Sequence, residues 1–124
     1  MGGDDSNNSL LVGDDFISAV DLRIKLNDGH IIYDNQSRLC LNRTQFGVVI
    51  GDHVWCGEDV LIMKDAYIPN NCVIGARALI TKKDFEPYSI IAGHPAQTLK
   101  TGINWNIKNY SNMNELDDLL RVIE

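Results

Sequence analysis

The sequence predicts an all-β fold: a parallel β-helix of hexapeptide repeats with one extruded loop and a C-terminal α-helix. Three observations predict it. An aliphatic residue recurs every six residues from Ile50, a small or β-branched residue holds a second fixed place in the same repeat, and Gly favours a third.

Read in sixes, Ile50 to Phe85 is IGDHVW, CGEDVL, IMKDAY, IPNNCV, IGARAL and ITKKDF. The first position is Ile50, Cys56, Ile62, Ile68, Ile74 and Ile80, and the fifth is Val54, Val60, Ala66, Cys72, Ala78 and Asp84. The second position takes Gly at Gly51, Gly57 and Gly75. An amphipathic helix cannot hold a strict period of six, because its turn is 3.6 residues. A simple strand alternation repeats every two residues and selects no glycine in fixed places. A stacked coil accounts for all three features. Each hexapeptide supplies one short strand and one turn, and three make a triangular coil. The first-position aliphatics stack inside it, small residues fit the corner, and Gly is expected to relieve strain at the turn.

The other elements follow in chain order. Met1 to Ser9 is polar, without the basic and apolar regions of a signal peptide, and reads as a frayed leader. VGDDFI, SAVDLR and IKLNDG, beginning at Val12, Ser18 and Ile24, form an earlier and poorer set of repeats, two residues out of phase with the later one. An insertion at about 29–48 therefore leaves the coil, and it contains the turn-forming run Asp34 to Ser37. About one coil precedes the insertion and two follow it, all within a domain spanning 1–105. The repeat stops after Phe85 in the passage FEPYSIIAGHPAQTLK. Over 106–124, Leu116, Leu119, Leu120 and Ile123 fall at helical spacing, and Asn112 with Glu115 reads as a capping box. This helix is expected to cover an open end of the coil or to pack on a neighbouring subunit.

Composition narrows the function. A chain of 124 residues suits one domain, and no apolar run is long enough to span a membrane. The net charge of -6 argues against nucleic acid or an anionic membrane as the main partner, so an anionic ligand would need a local cluster of basic groups. Cys40, Cys56 and Cys72 are odd in number and form no CxxC pair. They read as reduced, partly buried thiols of a cytoplasmic protein, with no metal site.

IGDHVWCGEDVLIMKDAYIPNNCVIGARALITKKDFEPYSIIAGHPAQTLK, Ile50 to Lys100, resembles the C-terminal half of hexapeptide-repeat acetyltransferases. LNDGHIIYD, Leu26 to Asp34, resembles the catalytic-histidine segment of their bacterial polysaccharide and sugar O-acetyltransferase branch. Together the resemblance spans roughly Val12 to Trp105. It implies a left-handed parallel β-helix, a homotrimer with active sites between neighbours, acetyl-CoA as donor and a sugar or polysaccharide hydroxyl as acceptor.

Acetyl transfer to an alcohol needs a base that titrates near neutrality and a donor for the tetrahedral oxyanion. Attack of the alcohol on the thioester needs no protein nucleophile. His30 stands at the family's catalytic histidine, and Asp28 or Asp34 could orient its imidazole. Trp55, at an outward position, matches a Trp that lines the acetyl-thioester cleft, which makes His30, Trp55 and Asp28 the implied catalytic set. The matching cofactor positions are Trp55, Glu58, Ala76, Thr81, Lys82, Lys83, Ala92, Gly93 and Lys100. Glu58 and Ala76 lie one coil apart on one edge, where an extended pantetheine arm could meet backbone amides. Lys82, Lys83 and Arg77 supply positive charge for phosphates. His53 reads as a structural turn histidine. His94 replaces the Asn usual in the AGNPA motif, and Gln97 replaces a usual Lys or Arg, which puts one phosphate contact in doubt.

Other functions on this kind of coil fit less well. A γ-type carbonic anhydrase needs three converging histidines, and His30, His53 and His94 are too dispersed. Nucleotide-sugar N-acetyltransferases and serine acetyltransferases commonly carry an N-terminal domain that this sequence lacks. A shortened, non-catalytic structural trimer and an amino-sugar N-acetyltransferase are the alternatives kept.

Overall fold

The computed structural model describes residues 8–108. They form a left-handed parallel β-helix of eleven short strands. The first coil is β1 (Ser9–Val12), β2 (Phe16–Ser18) and β3 (Arg23–Ile24). The second is β4 (Gly47–Ile50), β5 (Val54–Cys56) and β6 (Leu61–Ile62). The third is β7 (Ala66–Ile68), β8 (Val73–Ile74) and β9 (Leu79–Ile80). A last turn is half made: β10 (Ser89–Gly93) adds to one face and folds back as a hairpin with β11 (Ala96–Thr101).

The three faces are the sheets β1-β4-β7, β2-β5-β8-β10-β11 and β3-β6-β9. All strand pairs are parallel except β10 with β11. Val48 pairs with Ala66, Trp55 with Val73 and Leu61 with Leu79, so one coil consumes three hexapeptides. The expected core is the observed one. Ile50, Cys56, Ile62, Ile68, Ile74 and Ile80 are buried, as are Val54, Val60, Ala66, Cys72 and Ala78. Each stacked isoleucine is worth about 1.5–3 kcal/mol relative to exposure. Asp84, the charged member of the fifth-position series, is exposed, because the coil ends there and Phe85 and Ile91 close the interior instead.

Two expectations change. The repeat glycines do not serve a special backbone conformation: neither Gly51, Gly57 nor Gly75 has a positive φ. They permit close stacking, since a Cβ at Gly57 would lie 2.8 Å from the Ala76 nitrogen and one at Gly75 2.7 Å from the Ala92 Cβ. The left-handed turn residues sit two places further on. His53, Asp59, Asp65, Asn71 and Arg77 recur every six residues with φ of 56–64°. Apart from Arg77 these are the types that tolerate that region best, because a short polar side chain can bond locally.

The extruded loop spans 27–46 rather than reaching Val48. Gly47 and Val48 are already buried in β4, where β1 pairs with them. The loop is pinched by a bridge between Tyr33 and Cys40 and by the Leu41 amide bonding to the Ile32 carbonyl. Residues 103–108 carry no regular secondary structure, and 109–124, where most of the expected helix falls, lie outside the described residues, as do 1–7. No helix among the described residues is long and apolar enough to cross a membrane.

Candidate active site

Stacking brings residues distant in sequence to one corner of the prism. The Arg77 amide donates to the Glu58 carbonyl at 2.7 Å, and the Gly75 amide donates to the Ile91 carbonyl at 2.8 Å. Glu58, Ala76, Ala92 and Gly93 therefore follow one another up a single edge, with Glu58, Ala76 and Gly93 exposed. The small side chains of Ala76 and Ala92 and the bare Gly93 leave their backbone approachable, as an extended ligand arm would need.

The cations each bond a different partner. Lys82 bonds Gln97 of β11 at 3.3 Å and lies 3.9 Å from Asp84. Lys83 bonds Gln45, at the foot of the loop, at 3.3 Å. Arg77 faces Asp59 at 3.7 Å, and Asp59 also holds Arg23 at 2.7 Å. Lys82 and Gln97 thus share one place: the residue in the position of a missing cation is bonded to the lysine that remains. Thr81 and Lys100 are exposed nearby in sequence, Lys100 opposite Ile90 in the hairpin. A cleft of about 200 Å³ beside the corner is lined by Arg23, Asp59, Arg77 and His94.

His30 is exposed on the loop. Asp28, its expected orienting partner, bonds two other side chains. The Asp28 carboxylate accepts from Asn42 Nδ2 at 2.9 Å and pairs with Lys64 at 3.3 Å. The same Asn42 nitrogen donates to the His30 carbonyl at 2.9 Å, and its Oδ1 accepts from the Ile32 amide at 2.8 Å. Lys64 closes the network by donating to the Asn42 carbonyl at 2.5 Å. Asn42 and Lys64 therefore fix the chain on both sides of His30. Nothing in the sequence marks Asn42 among the polar loop residues. Asp34, the other candidate, caps its own turn: it accepts from the amides of Gln36 and Ser37, and those bonds hold its carboxyl below the usual range.

The loop rejoins the coil at Asp65, which accepts from the amides of Gln45, Phe46 and Gly47 at 2.9–3.2 Å. Partial burial works to raise its pKa, but these three bonds and Lys64 outweigh it and hold the carboxyl below its ordinary value.

Trp55 projects from the middle of β5 and is 43% exposed. A second tryptophan stands beside it. Trp105, on the segment after the hairpin, has its ring 6.1 Å from that of Trp55 at 52°. It also stacks on His53 at 3.8 Å and 5°. Trp105 Nε1 donates to the His53 carbonyl at 2.9 Å, while His53 Nε2 lies 3.0 Å from the Trp105 carbonyl and Nδ1 2.5 Å from Asp15 Oδ2. Both ring nitrogens face acceptors, an arrangement that favours the imidazolium. Burial of the ring works against this, but the bonds to Trp105 and Asp15 and the Asp15 charge outweigh it and raise the pKa above its ordinary value. His53 thus ties Trp105 to Asp15 of the first coil. Its partner Trp105, 52 residues away, carries no repeat signal that would have identified it.

No protein-family profile matches the chain. Chloramphenicol acetyltransferase of Agrobacterium fabrum (strain C58) is 48% identical over 52 residues, covering 42% of this chain and 24% of that protein. Polysialic acid O-acetyltransferase of Escherichia coli O1:K1 is 33% identical over 97 residues, covering 78% of this chain and 31% of that one. A solved polysialic acid O-acetyltransferase superposes with a TM-score of 0.75 at 37% identity, over 84% of this chain and 49% of that one. The chain thus spans less than half the length of these relatives.

Proposed function

We propose that this chain, which resembles the hexapeptide-repeat sugar O-acetyltransferases in sequence and fold, transfers acetyl from acetyl-CoA to a hydroxyl of a sugar or polysaccharide. The observation that carries the reading is the 97-residue match to a polysialic acid O-acetyltransferase. It leaves only 27 of 124 residues outside it (124 − 97), so wherever it begins it includes His30, Trp55, Glu58, Ala76 and Lys82.

The corner of Glu58, Ala76, Ala92 and Gly93 would take the pantetheine arm, with Thr81, Lys82, Lys83 and Lys100 toward the phosphates. His30 would accept the acceptor hydroxyl's proton as its oxygen attacks the thioester carbonyl, and then pass it to the departing thiolate. Asp28, through Asn42, would hold the backbone that presents His30. The exposed apolar side chains of the loop, Ile31, Ile32, Leu39 and Leu41, support assembly with neighbouring copies, a homotrimer in this reading. A cytoplasmic location goes with acetyl-CoA as donor.

The test is release of CoA thiol from acetyl-CoA with polysialic acid, galactosides and amino sugars as acceptors. His30→Ala should lose roughly 100-fold or more in kcat. A folded His30→Ala protein with wild-type turnover would refute the mechanism. Transfer to amines alone would replace O- with N-acetylation.

A further inference from the structure

The segment after the hairpin is fastened across the first corner of the coil. Among the described residues it is held by the Ile103 amide bonding to the Tyr88 carbonyl at 3.0 Å and by the mutual grip of Trp105 and His53: two hydrogen bonds and a parallel stack. Asp15, from the coil before, completes the grip. The outcome is a second indole standing beside the half-exposed ring of Trp55. We propose that Trp105, latched by the imidazolium of His53, is a positioning residue that holds the Trp55 ring in place at the acyl site. The proposal rests on the reading of Trp55 as a wall of that site.

The physical case has three parts. Trp55 is 43% exposed, and an exposed side chain changes rotamer readily unless a neighbour restrains it. Tilted aromatic pairs at this separation attract through their quadrupoles and prefer a definite geometry. The latch itself depends on charge. A neutral imidazole has one N–H and can serve only one of its two acceptors. Among the described residues the charged group that meets the His53 ring is the Asp15 carboxylate; the neighbouring Asp52 Oδ1 accepts from the Asp14 amide instead. The 103–106 segment offers it only a carbonyl. The Asp15 charge and both hydrogen bonds favour the proton. The latch is therefore whole below the ordinary histidine pKa near 6.5 and loosens as pH rises through the raised value in the fold.

This sets an alkaline limb on activity, opposite in sign to the acid limb that a base such as His30 produces. The chain has two tryptophans, so its emission reports on this pair alone. A protonated imidazole in ring contact quenches indole fluorescence.

The experiment compares Trp105→Ala, Trp105→Phe, His53→Asn and Trp55→Ala. Asn is chosen at position 53 because it tolerates the left-handed backbone there but is too short to span Asp15 and Trp105. Two quantities are read against pH: tryptophan emission, and turnover of acetyl-CoA with polysialic acid or, failing transfer, with water. Wild-type emission should brighten as pH rises above 6.5, and His53→Asn should abolish that titration. Trp105→Ala and His53→Asn should each lower kcat by about 10- to 100-fold, as a misplaced positioning group does. KM for acetyl-CoA should hold, Trp105→Phe should recover most of the rate, and the alkaline limb should vanish in His53→Asn. If Trp55→Ala is impaired while Trp105→Ala and His53→Asn turn over normally with the alkaline limb intact, the positioning role is refuted and the reading of Trp55 stands. If Trp55→Ala itself turns over normally, the reading of Trp55 falls and the proposal with it.

Discussion

Replacing Asp65 by Ala should detach the foot of the extruded loop. One carboxylate accepts from three consecutive amides, those of Gln45, Phe46 and Gly47, at the point where the chain re-enters the coil. Hydrogen bonds to a charged group are worth about 1.5–3 kcal/mol each when their donors are shielded from water. Gln45 is exposed, so water replaces most of its share, and the 3.2 Å bond to buried Gly47 is the longest of the three. That leaves roughly one full bond and one partial one, about 2–3 kcal/mol. Asp65 also has a φ of 64°, which adds about 1 kcal/mol of strain for Ala. The expected loss is about 3–4 kcal/mol, large against a total stability of about 5–15 kcal/mol. Asp65→Asn keeps an acceptor and tolerates the backbone, so it should lose only about 1 kcal/mol. Urea unfolding at pH 7 measures all three proteins. The sign with pH follows from the depressed carboxyl pKa: the stabilisation is present above the unfolded value of 3.8 and is lost as pH falls through the lower folded value. The wild type should therefore lose more stability than Asp65→Asn between pH 5 and the acid end of its folded range. An Asp65→Ala protein within about 0.5 kcal/mol of wild type at pH 7 would refute the reasoning, since that is the scatter of an ordinary surface substitution.

Three further outcomes are expected. Gly57→Ala should lose about 1–3 kcal/mol in urea unfolding, because its Cβ would meet the Ala76 backbone at 2.8 Å and backbone cannot step aside. In the folded protein Cys40 should alkylate first, because it is exposed while Cys56 and Cys72 are buried and burial pushes the Cys56 thiol up to about 12; peptide mass mapping after brief iodoacetamide treatment decides it. Lys82→Ala should weaken CoA binding several-fold and flatten its salt dependence, whereas unchanged calorimetric affinity in both Lys82→Ala and Lys83→Ala would remove those lysines from the phosphate site.

By itself the sequence determined the coil. A period of six can be read without a structure because each buried position selects its own side chain: Ile62, Ile68 and Ile74 are large and apolar because the interior is dry at each level, whatever stands above or below. The break in phase likewise located the loop and its histidine to within two residues. The corner shared by Glu58 and Ala76 followed from counting one coil. Only the tertiary structure decided what the corners do. It moved the left-handed residues to the position of His53 and Asp59, showed the glycines to be places of close stacking, and dispersed Lys82, Lys83 and Arg77 onto separate partners. It also joined Asn42 to His30 and Trp105 to His53. These facts depend on which side chains meet across coils and on where a non-repeating segment returns. Such meetings place no periodic demand on composition, because one hydrogen bond between residues 52 positions apart requires only a donor and an acceptor, and the chain between them can be almost anything that brings them together.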